Sequence, residues 1–399
     1  MSKGFDMGGK DMYWPLMKDT ITLKDRMKMA KFLLFTSKLT NGPKVKQFET
    51  EWSEWLGSDY SLYVSSGSTA NSLLVSSVKE LYGLKDGDKV LLPACTWVTN
   101  VAPIIQAGLT PIFCDVNLRN FSFDEQDLKY IAKVHPDIKM IFITHLLGLS
   151  ADNELYQELF PNALIIEDIC ESHGVTDFNG VKRGKNSLGS TFSFYFGHHM
   201  TTIEGGMVST HNKELYELMR MKRSHGMARE CSPEKYEQYV KENPDISKQF
   251  LFMTDGYNFR NHEVCAVLGI SQLKRLDSMI DIRRKNYKSF CRMLQKNPDK
   301  FFLPQYQIGN SSFCFPIICK DPTNVSKLKQ VFDEKQIEYR PIVSGNLLRH
   351  PAFRKYKICT NKDELNVEIL HKNGVYVGNN HFVDDSQMRV LESILDNMK

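Results

Sequence analysis

The sequence predicts an α/β protein built on a mostly parallel sheet, followed by a smaller α+β unit. Short and nearly continuous apolar runs alternate with helical patterns through the first two thirds of the chain, the pattern of strands covered on both faces by crossover helices. Beyond Pro304 the texture changes to sparser apolar runs. The length of 399 residues fits two or three units at the usual roughly 100–200 residues per domain.

Taken in order, the runs at 60–64, 89–92, 110–115, 139–144, 163–167, 191–196 and 206–209 read as strands. Helical spacing falls between them at 69–82, 100–106, 125–133 and 213–223. The polar stretch 230–248, rich in Glu, Lys, Pro and Asn, reads as a mobile excursion. One long helical pattern then covers 261 to 295. Asn297-Pro298 and Leu303-Pro304 mark a boundary, giving a large domain over 1–299 with an N-terminal arm and a small one over 300–399. Strands are expected there near 312–319 and 337–341, with a closing helix at 385–397.

Composition excludes several classes. With 42% hydrophobic and 25% charged residues the chain is globular rather than disordered. A net charge of +4 lacks the basic excess that nucleic-acid binding requires, so no such partner is expected. No stretch approaches the roughly 20 apolar residues of a membrane span, and the first ten residues lack a signal-peptide core. The nine cysteines are scattered, with no CxxC and no zinc spacing. They read as small core residues in a reducing cytoplasm, with no metal.

Four elements can carry chemistry. Ser65-Ser66-Gly67-Ser68-Thr69-Ala70-Asn71 follows a strand and opens a helix, where backbone N–H groups form an anion site; an ordinary serine N-cap has the same appearance. Glu167-Asp168 ends an apolar run at the carboxyl end of a parallel strand, the edge that faces ligands; a solvated loop acid is the alternative. The aromatic run from Thr191 leads into His198-His199 and then Glu204-Gly205-Gly206. Histidine suits proton transfer near neutral pH, although such pairs are often structural. Trp97 could stack on a flat ligand or pack in the core.

With Gly42-Pro-Lys-Val-Lys-Gln-Phe-Glu49 and Gly256-Tyr-Asn-Phe-Arg260, these elements in this order resemble the DegT/DnrJ/EryC1/StrS family. These are fold-type I sugar aminotransferases and dehydratases that use pyridoxal phosphate. The resemblance runs from Gly42 to the C-terminus and implies a three-layer cofactor-binding domain, with the active sites shared across a homodimer. It places Gly67, Ser68 and Ser193 on the cofactor phosphate, Trp97 on the pyridine ring and Asp168 at the ring nitrogen. Asn258 would reach across the dimer to the phosphate of the other site.

One departure bears on the reaction. In the family's aminotransferases a lysine after the aromatic strand binds the cofactor covalently. Counting back from Glu204-Gly205-Gly206, that position is His198 here. Histidine there resembles a small branch of 3-dehydratases that make 3,6-dideoxysugars. One kind carries a [2Fe–2S] cluster, which needs four cysteine thiolates. After Ser224-His-Gly-Met-Ala-Arg-Glu230 there is Cys231 and then no cysteine until Cys265, so no iron–sulfur cluster is expected.

The iron-free kind, which acts on a GDP-linked sugar, matches better. Arg340-Pro-Ile-Val-Ser-Gly-Asn346 and Val375-Tyr-Val-Gly-Asn379 resemble it too. The implied activity is C3 dehydration of a nucleotide-linked 4-keto-6-deoxyhexose in lipopolysaccharide deoxysugar synthesis. L-Glutamate would be the amino donor and pyridoxamine phosphate the working cofactor. His198 would be the catalytic base, with His199 its rival. His225, Arg340 and Asn346 are candidate substrate contacts. A nucleotide-sugar aminotransferase with histidine in the lysine's place, or a non-catalytic relative, stays open, as do the nucleotide and the hexose stereochemistry.

Overall fold

Seven strands make the principal sheet of the computed structural model, which describes residues 13–151 and 154–398. They are β1 (Tyr60–Val64), β2 (Lys89–Pro93), β3 (Thr110–Cys114), β4 (Met140–Thr144), β5 (Leu164–Asp168), β6 (Gly189–Ser193) and β7 (Gly206–Thr210), in the order β1-β7-β6-β5-β4-β2-β3. All neighbours are parallel except β7, which runs antiparallel to both β1 and β6. Strands β4, β6 and β7 are buried at every residue, which is why they read as continuous rather than alternating runs.

The helices are α1 (Leu23–Phe35), α2 (Pro43–Leu56), α3 (Gly67–Leu81), α4 (Val98–Gln106), α5 (Glu125–Val134), α6 (Leu155–Leu159), α7 (Lys213–Arg223) and α8 (Pro233–Glu242). Then come α9 (Glu263–Leu273), α10 (Leu276–Gln295), α11 (Pro322–Glu334), α12 (Asn366–Asn373) and α13 (Asp385–Asp396). Among the described residues no helix is long and apolar enough to cross a membrane.

Three expectations need correction. The aromatic strand ends at Ser193, three residues before the end expected for it. There Phe194 N–H donates to Gly205 O and Thr202 N–H to Phe194 O, so 194–205 becomes a loop instead of more strand. The stretch at 230–248 contains a helix, α8, begun by Ser232-Pro233. None of its residues is buried, which is why its sequence reads as a loop. The pattern from 261 to 295 is two helices, broken at Lys274 and Arg275. The Arg275 guanidinium turns back to Thr20 O at 2.9 Å and to the buried Asp25 at 2.6 Å. This anchors α1 at the break and holds the Asp25 carboxyl well below the usual range despite its burial.

A second sheet holds β8 (Phe301–Phe302), β9 (Cys314–Cys319), β10 (Tyr339–Pro341) and β11 (Gly374–Gly378), antiparallel in the order β10-β11-β9-β8. Tyr287, Phe290 and Leu294 of α10 pack in its core with Phe315, Ile317, Leu391 and Leu395. So does Trp14, whose Nε1 donates to Gly378 O at 3.1 Å. The backbone of Trp14 pairs with Gln336 and Glu338, so the start of the described chain joins the small sheet and leads residues 15–19 back toward the large one.

Candidate active site

A cavity of about 420 Å³ opens where β1, β4, β5 and β6 end at their carboxyl termini, the edge at which open α/β sheets bind ligands. Residues from all four strand ends line it, together with the Trp97 turn, the His198 loop, Met17, Phe313 and Tyr376.

Helix α3 begins at the cavity. Ser66 Oγ accepts from Thr69 N–H at 3.1 Å, and Thr69 Oγ1 accepts from Ser66 N–H at 2.9 Å. This capping box fixes a helix N-terminus whose first N–H groups have no intrahelical partner. Gly67 lies so close to β6 that a Cβ there would stand 2.6 Å from Ser193 Cβ. The contact brings Gly67, Ser68 and Ser193 to one rim. Trp97 caps α4 across the cavity and is 53% exposed, so it is a wall of the cavity and not part of the core.

Asp168 closes the floor. It is buried, with Oδ1 accepting from Cys170 N–H at 2.8 Å and Oδ2 from Asn71 Nδ2 at 2.9 Å. One donor on each oxygen fixes the plane of the carboxylate.

His198 faces the same space. Its Nδ1 lies 3.1 Å from Ser193 O. A carbonyl only accepts, so Nδ1 carries the proton and the neutral ring has its lone pair on Nε2. Burial lowers its pKa to about 4, and the buried Arg283 guanidinium adds to the effect, against the opposing pulls of Ser193 O and Asp168. The ring is therefore neutral at pH 7. His199 is fully buried and faces away, with Nε2 2.6 Å from Ser311 O and 2.8 Å from Ser311 Oγ. Of the two histidines, His198 alone lines the cavity.

The other four candidates lie elsewhere. Asn258 Oδ1 accepts from Arg260 Nε at 3.1 Å, and Arg260 Nη2 is 3.3 Å from His225 Nε2; this cluster does not line the cavity. Arg340 is exposed and hydrogen-bonds Tyr339 O. Asn346 is occupied structurally: Oδ1 accepts from Leu348 N–H at 2.9 Å, and Nδ2 donates to Glu368 at 2.7 Å.

The family model for the DegT/DnrJ/EryC1/StrS aminotransferases matches residues 21–395. The chain belongs to that family. It is 34% identical over 390 residues to a GDP-4-keto-6-deoxy-D-mannose 3-dehydratase of Yersinia pseudotuberculosis, covering 96% of this chain and 98% of the relative. Among solved structures, the E. coli enzyme of that name with bound hydrated PLP superposes with a TM-score of 0.86 at 31% identity, covering 97% of this chain and all of the other. A GDP-4-keto-6-deoxymannose-3-dehydratase with a trapped PLP-glutamate geminal diamine gives 0.86 at 30% identity, over 96% and 100%.

For this family member, sequence reasoning did not single out Met17, Phe313, Glu171 or Tyr376 as lining residues. Glu171 accepts from Leu147 N–H at 3.1 Å. Burial, reinforced by Asp168, pushes its carboxyl up to about 7. It lies three residues after Asp168, on the turn that leaves β5 toward the cavity; that spacing was the available signal. Met17 had none, since only tertiary packing brings residue 17 beside Gly197. Among the described residues no group of three or more His, Cys, Asp or Glu side chains could hold a metal ion.

Proposed function

We propose that this protein is an iron-free, pyridoxamine-phosphate-dependent 3-dehydratase. Its substrate would be a nucleotide-linked 4-keto-6-deoxyhexose and its amino donor L-glutamate. The observation that carries this reading is the neutral His198 in a cavity whose described lining includes no lysine.

The residues present fit pyridoxal and pyridoxamine phosphate. The α3 N-terminus with Gly67, Ser68 and Ser193 suits a phosphate, since helix N–H groups and their dipole favour an anion. Trp97 offers a face for a pyridine ring, and Asp168 a fixed carboxylate for a protonated ring nitrogen. Bound there, the cofactor supplies the electron sink that elimination next to a carbonyl-derived carbon requires. The protein's part is proton handling. His198 Nε2 would take the proton lost from the cofactor's C4′ carbon and pass it to the C3 hydroxyl, which would leave as water, while its Nδ1–H stays on Ser193 O. Lacking an amine, His198 does not recapture the cofactor covalently.

GDP-4-keto-6-deoxymannose is the substrate to test first, since the relatives are named for it. We place the enzyme in the cytoplasm as a homodimer, with Asn258 reaching the other subunit's phosphate. The position of Asn258 on a segment outside its own cavity supports that role.

Incubation with pyridoxal phosphate, glutamate and GDP-4-keto-6-deoxymannose tests the reading. Free ammonia with loss of the C3 oxygen is expected. An amino sugar without ammonia would make the protein an aminotransferase, and no reaction would leave a binding protein. Borohydride should fail to fix the cofactor to the purified protein; stoichiometric covalent capture would show that a lysine serves after all. Gly67→Ala should weaken pyridoxamine phosphate binding about tenfold, because overpacking of 1–3 kcal/mol parts the loop from β6. Titration of cofactor absorbance measures it, and wild-type affinity would remove the loop from the phosphate site.

A further inference from the structure

Behind Asp168 stands an amide to which no role has been given. Asn71, on the first turns of α3, is fully buried. Its Nδ2 donates to Asp168 Oδ2 at 2.9 Å and to Thr99 O at 3.2 Å. Its Oδ1 accepts from Thr191 Oγ1 at 2.6 Å. Thr191 is itself fully buried on β6. Asp168 and Thr99 O fix the orientation of the amide: turned over, its oxygen would face a carboxylate and a carbonyl, both of which only accept.

We propose that Asn71 is a positioning residue, which aims the Asp168 carboxylate at the cofactor's ring nitrogen. The inference rests on the role given above to Asp168. A buried carboxylate is stable as an anion only when donors satisfy it. Here Cys170 N–H serves one oxygen and Asn71 the other. About two of the four lone-pair sites remain for a ligand. Few side chains could replace the amide. A carboxylate would oppose Asp168 at hydrogen-bond distance and force a proton onto one of the pair. A leucine would strip a donor from Asp168 and remove the bonds of Thr191 Oγ1 and Thr99 O to the amide.

The test measures pyridoxamine phosphate dissociation constants and the pH titration of the bound cofactor's absorbance in wild type, Asn71→Leu, Asn71→Asp, Asp168→Asn and the Asn71→Leu/Asp168→Asn pair. Thermal melting of each apo form runs alongside. Loss of a hydrogen bond to a charged group predicts about ten- to hundredfold weaker binding for Asn71→Leu. The ring nitrogen should also lose its proton at lower pH. A residue that only holds the core together would lower melting without moving that titration. The double variant should bind no more weakly than Asp168→Asn alone, because both act through one carboxylate.

Wild-type affinity and titration in Asn71→Leu, with binding weakened in Asp168→Asn, would overturn the inference and leave Asp168 in its role. Full additivity in the double variant would also overturn it. Wild-type behaviour of Asp168→Asn would overturn the Asp168 reading itself. Should Asn71→Leu fail to fold, Thr191→Val releases the amide at Oδ1 only, and a smaller shift in the same direction is expected; no shift would count against the inference.

Discussion

Replacing His198 with asparagine is expected to lower turnover about 10²–10⁴-fold, the usual contribution of a positioned acid–base group, while pyridoxamine phosphate still binds. An asparagine amide can still donate to Ser193 O, so the loop keeps its anchor. It has no lone pair to take up a proton near neutral pH, so the loss falls on chemistry and not on binding. Ammonia release under saturating substrate measures the first quantity, and cofactor absorbance the second. Retention of more than about a tenth of the turnover would remove His198 from proton transfer. The sign of the pH dependence follows from the lowered pKa of about 4. The neutral ring is the working base, so its contribution is complete above about pH 5 and is lost as pH falls through about 4.

The largest expected loss of stability follows from Lys362→Met. The Lys362 ammonium lies 3.0 Å from Asp115, 3.1 Å from Asp124 and 3.1 Å from Asp127. Asp115 and Asp127 are fully buried. Asp115 also accepts from the N–H groups of Asn366 and Val367, and Thr360 Oγ1 donates to Asp127. The cluster fastens the start of α12 to the end of β3 and the start of α5. Removing the cation strands buried carboxylates, a change that costs about 3–5 kcal/mol.

The pH dependence of that loss should differ from the wild type's. In the wild type, Lys362 has a raised pKa, so its contribution is fully present below the ordinary lysine range and lost only above it. In the variant the three aspartates repel one another, and burial already raises the Asp127 carboxyl. Without the cation that opposes it, the Asp127 carboxyl rises further above its unfolded value, so the native state holds more protons and stability falls as pH rises. Urea unfolding at pH 5 and pH 8 should give the larger deficit at pH 8. A deficit below about 1 kcal/mol at both would mean the cluster carries no more than a surface pair does.

How far the site was legible depended on whether local chemistry marked it. Gly67, Ser68, Trp97, Asp168, Ser193 and His198 could be found because each sits at the end of an apolar run or in a run of small or aromatic residues. The cavity gathers all six. Counting back from Gly205-Gly206 favours His198 over His199, but which ring faces the cavity is hidden without the loop. It is the early exit of the chain from β6 at Phe194 that turns one ring to the cavity and buries the other on Ser311. Asn71 was equally hidden. As a polar residue inside a helix it carries no periodic signal, and its meaning comes from β5 and β6, roughly 100 residues later.

By itself, then, the sequence determined the alternation of strand and helix, the parallel character of the large sheet and the family signature around it. Burial on both faces of a strand and capping at a helix start are local demands, and they leave local traces in composition and order. Tertiary structure alone decided the break between α9 and α10, the docking of Trp14 on the small sheet, and which polar groups satisfy which. Those outcomes are set by hydrogen bonds and contacts between residues hundreds of positions apart, such as Arg275 with Asp25 or Trp14 with Gly378. The amino-acid order near either partner does not encode them, because the low dielectric that makes such pairings obligatory exists only once the core has closed.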